Sequence, residues 1–283
     1  MPLSAKNNYS MKKILITLAA VTGIYACTNQ KKTDKVIDSA AAIATMSGKD
    51  SLTYSYDSVK VYSKTPVSKN KLITDTAKAV IIYPVFPDQV VNKFLKDRII
   101  GLAGKQGIYD SYKELASGFI KEFDAYQASR PASQESWFEL INLKMKANYP
   151  NYLSILIVYS EYKGGAHPNT LFTYLNYNPK TYQTITLDSI ITADGMPKLR
   201  ALGESIFRKN ENLASNAKLS QGYFFAEGVF SLPETFTVTK EGIKFLYNPY
   251  EIKPYAAGTT ELLIPFSKIK DIMKESSILI NFK

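Results

Sequence analysis

Two strand-like runs, Tyr152 to Tyr162 and Thr170 to Tyr177, meet across the loop Lys163-Gly-Gly-Ala-His-Pro-Asn169. The first of them starts as the most apolar stretch outside the leader, and Gly164-Gly165 supplies a loop that can take positive φ or approach a partner closely. A chain with this signal has to build an antiparallel sheet around it. The neighbouring sequence agrees, since Trp137 to Met145 alternates, Tyr149-Pro-Asn151 turns, and Asn178-Pro-Lys-Thr181 leads into Tyr182 to Leu187. Four strands with short turns predict a meander. The same loop holds His167, the single histidine among 283 residues.

Helical patterns lie on both sides of this block. Ala79-Val-Ile-Ile-Tyr83 reads as a strand ended by Pro84 and Pro87, after which Asp88 caps a helix with Val90, Val91, Phe94, Leu95 and Ile99 on one face. Gly101, Gly104 and Gly107 end it, and they make no phosphate loop because Lys105 is followed by Gln106 rather than Ser or Thr. Tyr112, Leu115, Ala116, Phe119, Ile120 and Phe123 then recur at helical spacing. A third helix is expected from Pro197 to about Leu213, with Leu199, Leu202 and Ile206 inward. Phe236 to Thr239 and Ile243 to Tyr247 flank Lys240-Glu-Gly242 as a hairpin, Leu262-Leu-Ile264 is a further strand, and a short helix is expected over 266–273. Strands and helices in separate runs imply an α+β fold, an antiparallel meander plus a hairpin with helices packed on it, in two tightly associated halves. The expected division is 69–168 and 169–283, after a tether over 27–68 in which Leu52 to Val61 has the alternation of an outlying strand.

Composition removes several function classes. The net charge is +10, and Lys6, Lys12 and Lys13 account for three of these charges, so the chain beyond residue 26 carries +7. The lysines are scattered, no run exceeds two, and a nucleic-acid partner is not expected. One cysteine excludes an internal disulfide, and one His with one Cys is too few for a zinc site, so neither metal nor cofactor is expected. A serine triad around His167 lacks a Gly-x-Ser-x-Gly elbow, and nothing in the spacing of Glu161 and Glu251 sets them as a glycan-cutting pair.

The lone Cys27 has its own context. Lys12-Lys13, the apolar run Ile14 to Gly23 and Ile24-Tyr-Ala-Cys27 resemble a signal peptide ending in a bacterial lipobox, with Cys27 as the lipidated residue. As a helix, Ile14 to Ala26 would span only about 20 Å, short of a hydrocarbon core of about 30 Å. Residues 1–26 therefore read as a mis-called extension, with Met11 as the start, plus a signal peptide. The absence of Asp directly after Cys27 points to the outer membrane, facing the periplasm.

Two motifs together resemble a known family. Tyr159-Ser-Glu-Tyr-Lys-Gly-Gly-Ala-His-Pro-Asn169, and Phe245-Leu-Tyr-Asn-Pro-Tyr-Glu-Ile-Lys-Pro-Tyr-Ala-Ala-Gly258 followed by Ile264-Pro-Phe, are similar to the RsiV/PdaC-like extracytoplasmic module of bacterial envelope proteins. That module occurs in a lysozyme-sensing anti-sigma factor and beside a peptidoglycan deacetylase domain. The sigma-binding segment of the former and the metal-binding histidines of the latter have no counterpart here. The resemblance, covering about residues 70–275, implies a non-catalytic module for a lysozyme-like protein or a peptidoglycan fragment, carried on a membrane by a lipid anchor. The alternatives are a wall-acting hydrolase and a structural part of an envelope complex. The ligand-binding candidates are Glu161, Tyr162, Gly164, Gly165, His167, Tyr250, Glu251 and Tyr255, with the two loops forming one rim.

Overall fold

The computed structural model describes residues 51–67, 75–105, 107–131 and 133–275, which leaves Cys27 and the residues expected to form a signal peptide outside the described residues. Among the described residues, nine strands form two sheets. In the first, β1 (Ser55–Pro66), β2 (Thr76–Val85), β3 (Phe138–Tyr149), β4 (Tyr152–Tyr162), β5 (Asn169–Asn178) and β6 (Gln183–Thr184) lie side by side in chain order. The second contains β7 (Phe236–Val238), β8 (Gly242–Tyr247) and β9 (Thr260–Pro265). All pairs are antiparallel except β2 with β3.

That parallel pair follows from the helices between its strands. A parallel neighbour needs a crossover, and α1 (Gln89–Leu102) and α2 (Tyr112–Ser129) provide it. Asp88 accepts from the Val90 N–H at 2.8 Å to start α1, and Ser111 accepts from the Glu114 N–H at 3.1 Å to start α2. Val91, Leu95 and Ile99 of α1 and Leu115, Phe119 and Phe123 of α2 are buried against the inward residues Ala79, Ile81, Ile141, Leu143, Ile155 and Ile157 of the sheet. Among the described residues no helix is long and apolar enough to cross a membrane.

The second core lies under α3 (Met196–Asn210) and the second sheet, where Leu199, Phe207, Phe245, Tyr247, Leu262 and Ile264 are buried together. The two halves join through polar groups on β4, β5 and β7. Tyr152 donates to Asn176 Oδ1 at 2.7 Å and accepts from the Val238 N–H at 2.9 Å. Ser154 lies 2.6 Å from Thr237 Oγ1, and Asn176 donates to the Phe236 carbonyl at 2.7 Å. Buried polar groups with partners on both sides fix the docking in one register.

Several expectations need correction. Residues 55–66 are not tether: β1 pairs with β2 along most of its length, and Leu52 is held by Asn148 Oδ1 at 3.0 Å. The fourth meander strand shrinks to Gln183–Thr184, because Ile185 makes one last bond to the Asn176 carbonyl before Leu187–Ser189 turns as a 3-10 helix. The inward face of α3 includes Gly203 and Phe207, while Leu202 and Ile206 are only partly buried. Two 3-10 turns, Phe266–Lys268 and Lys270–Ile272, replace the helix over 266–273. Position 168/169 falls in the β4–β5 hairpin, and the change of sheet comes between β6 and β7.

Candidate functional site

The β4–β5 hairpin carries one half of the rim. Gly164 and Gly165 sit at φ +98° and +107°, conformations that a side chain resists, and this lets the loop fold back. Tyr162 then donates to the Gly165 carbonyl at 2.9 Å and braces the loop from its own strand.

The other half follows β8. Asn248 lies against the outer edge of β5, where its Oδ1 accepts from the Phe172 N–H at 2.7 Å and its Nδ2 donates to the Phe172 carbonyl at 3.0 Å. One side-chain amide thus stands in for a neighbouring strand and clamps the second loop to the first sheet. Glu251 accepts from the Asn248 N–H at 2.7 Å, and burial holds its carboxyl above the usual range against that hydrogen bond. The turn leaves Tyr250 at φ +68° and 57% exposed. A bulky residue in this region of backbone space is strained, which singles the position out.

The loops meet at three rings. Tyr255 stacks on His167 with centroids 4.0 Å apart and planes 14° apart, and Tyr250 lies 5.4 Å from Tyr255. The Pro168 carbonyl can only accept, so the contact at 2.9 Å makes His167 Nδ1 a donor. In the neutral ring Nε2 is then the acceptor for the Tyr250 hydroxyl at 3.3 Å. Tyr255 donates to the same Pro168 carbonyl at 3.1 Å. The result is an exposed, mutually supported aromatic rim built from segments more than eighty residues apart. His167 is held by a carbonyl, a phenol and a ring, with no carboxylate or serine hydrogen-bonded to it among the described residues.

Of the candidate residues, His167, Tyr250 and Tyr255 converge, Tyr162, Gly164 and Gly165 shape the loop, and Glu251 holds the turn. Glu161 goes elsewhere. It points to the helix-covered side, pairs with Lys163 at 2.8 Å and accepts from Tyr159 at 2.7 Å. There it joins a cluster that sequence reasoning missed: Glu139, Tyr159, Glu122 and Lys105. The signal was available, because Glu139 occupies an inward position between Trp137 and Ile141 on β3. Burial pushes the Glu139 carboxyl up to about 7. Among the described residues no group of three His, Cys, Asp or Glu side chains could hold a metal ion.

Two α+β halves, docked through a buried polar seam and meeting again at an aromatic rim, define a two-part module. Residues 70–170 match the family model described as deacetylase PdaC, and residues 188–267 match DUF3298, a family of unknown function. These two adjoining matches agree with the resemblance that the paired loop motifs carried. It is 24% identical over 210 residues to the peptidoglycan-N-acetylmuramic acid deacetylase PdaC of Bacillus subtilis, covering 72% of this chain and 40% of that protein. It is 29% identical over 125 residues to the immunogenic protein MPT64 of Mycobacterium tuberculosis, covering 42% of this chain and 50% of that one. The chain thus spans about half or less of the length of these relatives. Among solved structures, a DUF3298 family member from Bacteroides fragilis superposes with a TM-score of 0.63 at 24% identity, over 83% of this chain and 99% of that chain. Another, from Pseudomonas aeruginosa, gives 0.61 at 14% identity, over 80% and 96%. These two share the fold.

Proposed function

We propose that this chain is a lipid-anchored envelope protein whose module binds a lysozyme-like protein, without catalysis, through the rim of His167, Tyr250 and Tyr255. The rim itself carries this reading: three rings from two distant loops, locked by hydrogen bonds, with Tyr250 exposed in spite of backbone strain. Rigid aromatic side chains give large contact area at little entropic cost. The flanking cations Lys163 and Lys253 are ion-paired to Glu161 and Glu211, so they do little to repel a basic partner. The anchor would be Cys27, placing the module at the outer membrane on its periplasmic side. The relationship to a peptidoglycan-acting protein supports a role at the cell wall.

A peptidoglycan fragment is the second reading, favoured by the +7 charge of the chain beyond the leader, which attracts acidic glycans and slows encounter with basic proteins. Calorimetric titration with hen lysozyme and with soluble muropeptides, each at two salt concentrations, separates the two. Lysozyme binding that strengthens with salt and weakens at least about tenfold in Tyr250→Ala is the expected result. Heat from neither titrant at high micromolar concentration overturns rim binding. Labelling with a palmitate analogue tests the anchor, since Cys27→Ser should lose the tag.

A further inference from the structure

The register of the first sheet sorts its residues into two faces. One is sealed by α1 and α2, and the other is covered by the second sheet only at one end, where Ser154 and Asn176 meet Thr237 and Phe236. Above that seam, Lys60, Val80, Leu140, Ser160 and Thr170 form one row across five strands. Tyr62, Lys78, Phe138 and Tyr162 form the adjoining row. Such a row is about 19 Å wide at the usual strand spacing.

Three properties set this face apart. Val80, Ile82, Phe138, Leu140, Val158 and Phe172 are partly exposed there, and among the described residues they belong to neither core. Phe138 stacks on Tyr162 with centroids 5.8 Å apart, and Tyr62 beside them is 55% exposed. Lys60, Lys78 and Lys144 project from the same face, exposed and without an ion pair among the described residues, and the rows contain no Asp or Glu. A solvated sheet face would be polar, and an apolar one left open marks an interaction surface.

We propose that this open sheet face binds a linear glycan strand bearing carboxylates. The aromatic and aliphatic rows offer flat apolar surface to sugar ring faces, and the lysines meet acid groups with no carboxylate in the rows themselves to repel them. Sparse lysines among apolar positions suit a polymer of sparse charge, unlike duplex nucleic acid with one charge per about 1.7 Å. The surface adjoins the rim, because Tyr162 braces the His167 loop and Asn248 is clamped to Phe172, but His167, Tyr250 and Tyr255 lie outside its rows. The proposal rests on the cell-wall role proposed above without requiring those three rings to bind anything. It also places part of the excess positive charge where a basic protein partner at the rim need not meet it.

Co-sedimentation of the protein with insoluble murein sacculi tests this, with chitin as the neutral glycan, an oligothymidylate as nucleic acid and anionic phosphatidylglycerol vesicles as membrane. Wild type should pellet with murein in preference to chitin, and added salt should release it. The triple variant Lys60→Gln/Lys78→Gln/Lys144→Gln should bind murein about tenfold more weakly, as the loss of three exposed charge pairs would give, and should lose most of the salt response. Phe138→Ala should weaken binding at an unchanged salt response. Tyr250→Ala should still pellet, so that failure of the rim and failure of the sheet face are told apart. Equal murein binding by the triple variant, or wild-type preference for the oligonucleotide or the vesicles, overturns the proposal. Loss of murein binding in Tyr250→Ala alone moves the glycan to the rim and overturns it as well.

Discussion

Replacing Glu139 by Gln should stabilise this protein, and the gain should grow with pH. Glu139 is only 3% exposed; its Oε1 lies 3.1 Å from the Tyr159 hydroxyl, and its Oε2 has no hydrogen-bond partner among the described residues. Tyr159 has one proton and a nearer acceptor, Glu161 Oε2 at 2.7 Å. With Glu139 protonated, its own O–H can donate to Tyr159, Tyr159 donates to Glu161, and Glu161 pairs with Lys163. Burial is the main cause that raises the carboxyl from 4.5 to about 7, with the Tyr159 hydrogen bond acting against it and the Glu161 charge adding to it.

The sign follows from proton counts. Between pH 4.5 and about 7 the folded chain holds a proton that the unfolded chain has released, so stability falls as pH rises through that window and levels off above it. The whole step amounts to about 3 kcal/mol. Glutamine keeps the shape and cannot ionise. The stability difference between Glu139→Gln and wild type should therefore rise by about 3 kcal/mol from pH 4 to pH 8, or about 6–12 °C in melting temperature for a fold of this size. Urea unfolding followed by circular dichroism at five pH values reads this directly, because groups not coupled to position 139 cancel in the difference. A difference that stays flat within about 0.5 kcal/mol would refute an anomalous carboxyl here.

Tyr152→Phe removes the hydroxyl that joins the halves, leaving the Val238 N–H and Asn176 Oδ1 without their buried partner, and should cost about 2–3 kcal/mol in urea unfolding. Tyr250→Gly should raise stability by about 1 kcal/mol by relieving the φ of +68°, whereas Tyr250→Ala keeps the strain; a lower melting temperature for the Gly variant contradicts this. Gly242→Ala places a Cβ 2.1 Å from the Ile264 carbonyl oxygen in the β8–β9 ladder and should cost about 3 kcal/mol or more, above the cost of about 1–2 kcal/mol for Gly164→Ala, where a side chain is held at φ +98° but the Cβ meets only the carboxylate end of Glu135; thermal melts of both variants compare them. Truncation to residues 69–283 removes β1 and bares the β2 edge, so that fragment should melt lower and scatter light at concentrations where the protein beginning at Ser51 stays clear.

Much of the fold could be read from the chain because its signals are local. Asp88 and Ser111 start helices by capping their own first turns, and Lys240-Glu-Gly242 turns a hairpin whose Gly has no room for a side chain. What the sequence did not show depends on non-local pairing. Residues 55–66 are mostly polar at their exposed positions, and their pairing with β2 and the contact of Ser63 with Asp124 on α2 make them a strand of the sheet. The parallel β2–β3 pair is likewise set by two helices that must return to the same face. No turn motif announces it.

The rim was legible for a different reason. Gly164-Gly165 marked the His167 loop by the positive φ it can take, while the loop of Tyr250 and Tyr255 stood out as the second half of the paired motif, its φ of +68° at Tyr250 appearing only in the structure. The link between them, Asn248 on the edge of β5, was hidden because an Asn before a Pro reads as an ordinary turn former. Its role appears only when strand order leaves β5 at the edge of the sheet, with β6 reaching no further than Tyr177 and Asn178. An edge strand needs a cover, and here one amide at Phe172 does two things at once: it blocks the edge against another chain and fixes Tyr250 beside His167. Negative protection of the sheet and assembly of the rim therefore share one residue, so a change at Asn248 should disturb both together.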